Sequence, residues 1–256
     1  MTSECGTAMG TLVCRCRQFN ANGRDRGKRI RNVEKTEVPM VFEVINDRGV
    51  KLKPYEILKG KLLGQIDKEE LDALDLNELW EEQVDKINAF KEDEIDQFFI
   101  YYLKSKLADT RGTAQKFDKD YHRVMFDDEF NSFLSLKHNP KKVKSFLQNE
   151  FKSFTNLYAK VFGYYKEYSP KQPFVYYNSL TEMDTQFLLI LSACVLNDTE
   201  EDEKIFLISR QVDRIFCLLQ LQRSYNSNSF ATEIYKLSSE IRDKQLAEIE
   251  PIFEKY

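Results

Sequence analysis

Residues 38–63, VPMVFEVINDRGVKLKPYEILKGKLL, decide the fold because they contain two helical patterns joined by a short polar loop. The first pattern places apolar side chains on one helix face, at Val38, Val41, Phe42 and Ile45. The loop 46–49 ends this pattern, since Gly49 can adopt the positive φ that terminates a helix. Pro54 suits the first turn of a second helix. That helix has its own apolar face, formed by Tyr55, Leu58 and Leu62.

The rest of the chain keeps the helical period and shows no convincing β alternation. Nineteen Phe and thirteen Tyr accompany only nine Gly and six Pro, a composition that favours long helices. Asn139-Pro140 is a helix start, with Asn as the cap and Pro at the first helical position. The pattern predicts a helix over 143–162 that stops at Gly163, an irregular connection over 164–178 and a buried helix over 180–196. We predict an all-α, multi-helix bundle with two lobes, residues 33–138 and residues 139–256.

The loop 46–49 also supplies the best candidate binding residues. A loop held between two packed helices presents Asn46 and Arg48 rigidly. The guanidinium of Arg48 is a planar fork of donors that suits phosphate, and an Asn amide can bind a base or a sugar. Four lysines close to the loop add positive potential, namely Lys51, Lys53, Lys59 and Lys61. A capping turn in which Arg48 pairs with Glu43 or Asp47 explains the same residues structurally.

The residues Phe42-Glu43-x-x-Asn46-x-Arg48-Gly49-x-x-Leu52, followed by a Leu/Lys-rich helix, resemble a family signature. The family is the N-terminal, ParB-like domain of GmrSD-type, modification-dependent restriction endonucleases. Trp80 and the aromatic run 95–103 resemble the next helical segments of that family, and the resemblance extends over residues 33–256. It implies a role in phage defence, in which nucleotide licenses the cleavage of modified DNA. It further implies a nucleotide- or DNA-binding role for Asn46, Arg48, Gly49 and Lys51, with Glu43 as a supporting partner.

The chain departs from that family in two motifs. The family carries Asp-Gly-Gln-Gln-Arg on an α/β portion, and many members carry a C-terminal His-Asn-His nuclease domain; neither motif occurs in these 256 residues. The resemblance therefore implies a truncated α/β-plus-helical domain, reduced to its helical back half. It implies no cofactor for this chain alone, with a nucleoside triphosphate and Mg in the complete protein. DNA, a nuclease subunit and the missing N-terminal portion are the implied partners.

The distribution of charge, cysteines and apolar residues indicates what the N-terminal tail does and where the protein is located. Residues 1–32 carry seven Lys and Arg against two acids, a net charge of +5, whereas the remainder carries −9. This basic tail is either an arm that touches nucleic acid or an acidic partner, or a truncation relic unrelated to the fold, which we favour. Five cysteines without regular spacing do not describe a disulfide framework, so a reducing cytoplasm is expected. The longest apolar run, 187–196, has about half the length of a membrane span.

Several other residues receive structural explanations. His122 beside Asp118 and Asp120 is expected at the surface, and His138 belongs to the helix start at Asn139 rather than to a nuclease motif. The acidic run 92–96 is expected to be a helix N-terminus in water. The tyrosine-rich segment 164–177 is expected to pack between the lobes, with base stacking as the alternative.

Neither catalytic residues nor metal ligands are assigned. Two functions remain open: a fragment or subunit of a GmrSD-like restriction system, and a non-enzymatic helical protein–protein interaction module.

Overall fold

The computed structural model describes residues 52–255, and this part of the chain is helical throughout, without a strand. The predicted all-α, multi-helix fold is therefore confirmed. The helices are α1 (Pro54–Leu63), α2 (Lys68–Ala73), α3 (Leu76–Asn88), α4 (Glu94–Leu107), α5 (Arg111–Val124), α6 (Asp128–Leu134), α7 (Pro140–Ser145), α8 (Lys152–Lys166), α9 (Pro173–Leu180), α10 (Thr185–Ala193), α11 (Glu201–Leu221), α12 (Ser227–Ile241) and α13 (Leu246–Phe253). A π-helical segment, Phe146–Phe151, joins α7 to α8 without a break.

Helix α1 is the second helix of the opening pattern, and it forms as the sequence predicts. Pro54 occupies its first position, and the amide of Lys53 donates to the Glu56 carboxylate at 2.7 Å. Its apolar face is buried, through Leu58, Leu62 and Leu63. The first predicted helix and the loop 46–49 lie outside the described residues.

One hydrophobic core runs through the described residues and contains side chains from both sides of residue 139. Trp80 of α3 stacks on Phe151 with ring centroids 4.9 Å apart, and Phe99 of α4 stacks on the same ring at 5.5 Å. All three rings are at most 1% exposed. Burial of one such side chain is worth about 1.5–3 kcal/mol. The division into two lobes stays a prediction, although this core crosses its boundary.

The connection between α10 and α11 is held by a buried ion pair. The Lys204 ammonium, 1% exposed, donates to Asp198 at 2.7 Å and to the Ala193 carbonyl at 3.0 Å. The amides of Val195 and Glu200 also donate to Asp198. Burial alone would raise the pKa of Asp198, but these hydrogen bonds outweigh it and the pKa is lowered. Asp198 thus joins the end of α10 to the start of α11.

Three predicted helix boundaries are wrong, each for a local reason. Helix α8 passes through Gly163 and ends at Lys166, because that glycine keeps helical backbone angles instead of the positive φ of a helix end. The tyrosine-rich segment is irregular only over 167–172, since Pro173 begins α9 as its first residue. The predicted helix 180–196 instead divides into the end of α9 and α10, which starts at Thr185.

None of the helices within residues 52–255 combines the length and the apolar character that a bilayer crossing requires. Both cysteines in this range are free thiols. Cys194 is buried, as its apolar surroundings predict. Cys217 is exposed, because it lies on the outward face of the C-terminal half of α11.

Candidate functional site

The residues to which the family resemblance gives a binding role precede the described part of the chain. Glu43, Asn46, Arg48, Gly49 and Lys51 lie outside residues 52–255, so their roles stay predictions.

The lysines that follow the loop can be placed, and they have partners. Lys53 lies 2.7 Å from Asp93, and Lys59 lies 2.5 Å from Glu81. The Lys61 ammonium lies over the Phe126 ring, 5.8 Å from its centroid. Ion pairing therefore offsets much of the positive potential that the sequence predicts here. Residues 52–255 carry 28 Lys and Arg against 36 Asp and Glu, a net charge of −8.

The histidines occupy structural positions. His122 is only 5% exposed, so the expectation that it lies at the surface is wrong. His138 adopts φ 53° in the turn before α7, where Asn139 caps the helix by accepting from the amide of Lys142 at 3.2 Å, as predicted. No group of His, Cys, Asp and Glu side chains within the described range is arranged to hold a metal ion.

A cavity of about 170 Å³ lies where α4, α8 and α10 meet, and we call it the aromatic pocket. Its lining residues are Glu94, Gln97 and Tyr101 of α4, Tyr158, Phe162 and Tyr165 of α8, and Asp184 and Phe187 at the start of α10. Two lysines complete the lining, Lys91 before α4 and Lys166 at the end of α8. Half of the lining residues are aromatic and half are polar or charged, so ring faces and converging polar groups share one concave site.

Helical spacing explains why these side chains converge. Tyr158, Phe162 and Tyr165 fall at i, i+4 and i+7 and therefore share one face of α8. Phe187 lies at the centre of the aromatic walls, with its ring centroid 4.9 Å from that of Tyr158, 5.4 Å from Tyr165, 5.7 Å from Phe162 and 5.8 Å from Tyr101. Contacts of this length make the walls a packed cluster rather than a set of loose side chains.

Each of the two carboxylates in the pocket accepts a hydrogen bond from a tyrosine. The Tyr158 hydroxyl donates to Oε1 of Glu94 at 2.6 Å, and the Tyr165 hydroxyl donates to Oδ1 of Asp184 at 2.8 Å. Glu94 is 5% exposed, and its other oxygen lies 3.9 Å from the Lys91 ammonium, beyond direct hydrogen-bond distance. One oxygen of each carboxylate thus remains without a tyrosine donor.

Burial shifts the pKa of both partners in the deeper pair. Desolvation raises the pKa of Glu94, and the Tyr158 hydrogen bond and Lys91 offset this only in part. Desolvation and the adjacent Glu94 carboxylate hold the pKa of Tyr158 well above its ordinary value, so its hydroxyl remains a donor. A buried, pKa-shifted acid in a cleft is a candidate functional group.

A second, more open cavity of about 460 Å³ lies beside the start of α11. Its lining includes four carboxylates, Asp198, Glu201, Asp202 and Glu203, and one lysine, Lys160. The lysine is bound by two of them, Glu201 at 2.7 Å and Asp202 at 2.5 Å. Carboxylates of this density repel phosphate, and neither cavity fits a nucleoside triphosphate.

Sequence reasoning missed the aromatic pocket because it assigned the acidic run 92–96 to water. The run does begin a helix, but Glu94 is buried and Asp96 receives a hydrogen bond from the Tyr121 hydroxyl at 2.5 Å. A signal was present: Glu94 lies four and seven residues before Phe98 and Tyr101, in line with the apolar face of α4.

Fold and site together define an all-α protein with an aromatic, carboxylate-bearing pocket between three helices. Comparison of the chain with protein-family models, curated proteins and solved structures finds no match.

Proposed function

We propose that the chain is a fragment or subunit of a GmrSD-like, modification-dependent DNA restriction system. In this role it contributes part of a nucleotide- or DNA-binding cleft and is inactive alone. The observation that supports this most directly is that α1 follows the signature Phe42–Leu52 directly in the sequence. Because α1 buries its leucines in the core and begins at a hydrogen-bonded Lys53, the chain that follows the signature is firmly anchored.

The anchor joins the start of α1 to the start of α4. Lys53 is tied to Asp93, the residue before α4, at 2.7 Å.

The charge of the described part supports the view that this chain does not act alone. A net charge of −8 and an acidic second cavity disfavour both duplex DNA and free nucleotide. In the proposal, phosphate contacts come from Arg48 and Lys51 and from a nuclease subunit or further chain that carries the missing motifs. Nucleoside triphosphate and Mg act in that complete assembly. The proposal places the protein in the cytoplasm, which agrees with the exposed free thiol of Cys217.

A thermal-shift panel of nucleoside triphosphates and modified duplex DNA tests the contribution of the signature. Ligand binding stabilises by about 2.7 kcal/mol at a hundredfold excess over Kd, so the purified chain is expected to melt at a higher temperature with its cognate ligand. Arg48→Ala and Asn46→Ala are expected to abolish that shift, whereas Lys59→Ala, which changes a lysine paired with Glu81, is expected to retain it.

Two results would contradict the proposal. If no nucleotide or DNA raised the melting temperature, the chain would not contribute to a binding cleft. Nucleotide hydrolysis or DNA nicking by the purified chain, lost in Arg48→Ala, would show that the chain is a complete enzyme.

The alternative function, a non-enzymatic helical interaction module, is favoured by one surface. The C-terminal half of α11 exposes Leu218 (43%) and Leu221 (80%), and exposed apolar side chains grouped on one helix end mark interaction sites. Sedimentation of the wild type and a Leu218→Ser/Leu221→Ser variant tests this function. Association lost in the double variant would favour the module, and monomeric behaviour of both proteins would count against it.

A further inference from the structure

We propose that the aromatic pocket binds a small organic cation, an alkylammonium or guanidinium group, between Glu94, Asp184 and the rings around Phe187. This site is separate from the restriction role proposed above, since it consists only of residues within 52–255. The ligand chemistry follows from the carboxylates, the aromatic walls and the size of the cavity.

The carboxylates supply acceptors for N–H donors. Glu94 and Asp184 each use one oxygen for a tyrosine hydroxyl and keep another for a ligand. The Lys91 ammonium already lies 3.9 Å from the second oxygen of Glu94, but its side chain is 67% exposed and makes no hydrogen bond there. A ligand cation that donates directly to this oxygen would form the shorter, charge-assisted hydrogen bond that Lys91 does not make.

The walls supply ring faces that attract cations. An ammonium or guanidinium group within about 6 Å of a ring centroid is attracted by the negative face of the ring, and more strongly where water is excluded. The outer edge of the pocket already shows this contact, since the Lys166 ammonium lies 5.3 Å from the Phe162 centroid. Tyr101 makes no side-chain hydrogen bond within the described residues, so its hydroxyl adds a further acceptor.

Size and charge exclude other ligand classes. A cavity of about 170 Å³ accepts a group of the size of butylammonium and is too small for a nucleotide. An anion of similar size would meet the buried Glu94 carboxylate and the Asp184 carboxylate, whereas the two lysines of the lining are exposed and their attraction is screened by water and salt. A neutral alcohol would gain the apolar walls but lose the charge-assisted bonds.

Titration of the purified full chain with n-butylammonium and n-butylguanidinium, followed by calorimetry or NMR, tests the assignment. Butanol and butyrate are the neutral and anionic controls of matched size, and both are expected to bind at least about tenfold more weakly. A lysine-containing peptide distinguishes the source of the group. Binding of the peptide tighter than that of butylammonium would indicate a protein side chain, and weaker binding would indicate a free amine.

Two matched variants locate the site. Glu94→Gln removes the charge but still accepts from Tyr158, and it is expected to weaken cation binding by about tenfold or more. Asp96→Asn is the control, because Asp96 is also a partly buried α4 carboxylate bonded to a tyrosine, but it does not line the pocket. Its affinity is expected to match that of the wild type. Circular dichroism confirms that both variants fold.

The pH dependence of cation affinity is a further test, because a Glu94 that only packed against its neighbours would not affect it. Cation affinity is expected to rise with pH as Glu94 ionises, and Glu94→Gln is expected to lose most of that rise. The other charged and titratable groups that face Glu94 are Lys91, Lys166, Asp184, Tyr101, Tyr158 and Tyr165.

Butylammonium binding that is absent, matched by butanol, or unchanged in Glu94→Gln would overturn the proposal. Arg48→Ala is expected to leave amine binding unchanged, because Arg48 is not among the residues that line the pocket, so the two proposals can fail separately.

Discussion

The buried ion pair between Lys204 and Asp198 is expected to contribute more to stability than an exposed ion pair does. Both side chains are at most 4% exposed, so loss of the lysine leaves Asp198 buried without its cation. Lys204→Met is therefore expected to lower the free energy of unfolding by about 3–5 kcal/mol, measured by urea denaturation. Lys160→Met is the control at a partly exposed pair, where a loss of about 0–1 kcal/mol is expected. Equal losses in both variants would contradict this difference.

Glu94 gives a second residue-scale prediction, on pH. Because burial raises its pKa in the folded state, the native protein holds the extra proton between the unfolded and folded pKa values. The free energy of unfolding contributed by Glu94 therefore falls as pH rises through that window, which begins near an unfolded pKa of about 4.3. Glu94→Gln does not titrate, so its stability is expected to fall less between acid and neutral pH. Denaturant unfolding across that range measures the difference, and parallel profiles would contradict it.

Residue roles were predictable where they depend on neighbours in sequence. The Asn139 cap and the Pro140 start needed only a local pattern, and both are confirmed. Burial of Glu94 depends on Tyr158, 64 residues later, and no local pattern contains that contact.

At the scale of elements, helix existence followed from the apolar period and helix ends did not. The period predicted α1 and the helix over 143–162 because each buries one face against the core. The end of α8 was misplaced because glycine was treated as a stop signal, whereas Gly163 remains helical and lies where a side chain would be accommodated. Gly163 does not adopt the positive φ at which a glycine favours a helix end.

Three glycines test this point directly. Gly60 in α1 and Gly163 in α8 are helical, and no atom lies within 4 Å of an added Cβ. Gly60→Ala and Gly163→Ala are therefore each expected to stabilise the fold by about 0.5–1 kcal/mol. In Gly64→Ala the Cβ would lie 2.5 Å from the Gly60 carbonyl oxygen, so destabilisation is expected. Thermal and urea unfolding rank the three variants, and a stabilised Gly64→Ala would contradict the packing around α1.

At the scale of the whole molecule, the helices depend on one another through rings that meet across distant parts of the chain. Trp80 contacts Phe99 and Phe151 in the core, and Tyr158 meets Phe187 beside the aromatic pocket. The pocket is thus a continuation of the core towards the surface, lined where α4, α8 and α10 separate enough to leave space. Its position was not predictable from any one helix, because each helix contributes only part of the lining.

The shared core leads to a prediction about cooperativity. The single Trp of the chain, Trp80, belongs to the first predicted lobe, and its stacking partner Phe151 belongs to the second. Because the interface between these segments is core rather than surface, residues 52–255 are expected to unfold in one transition. Trp80 fluorescence and far-ultraviolet circular dichroism should then give the same urea midpoint, and calorimetric and van't Hoff enthalpies should agree. Two separated midpoints would instead establish two lobes that fold independently, and would require that the Trp80–Phe151 contact add little to either.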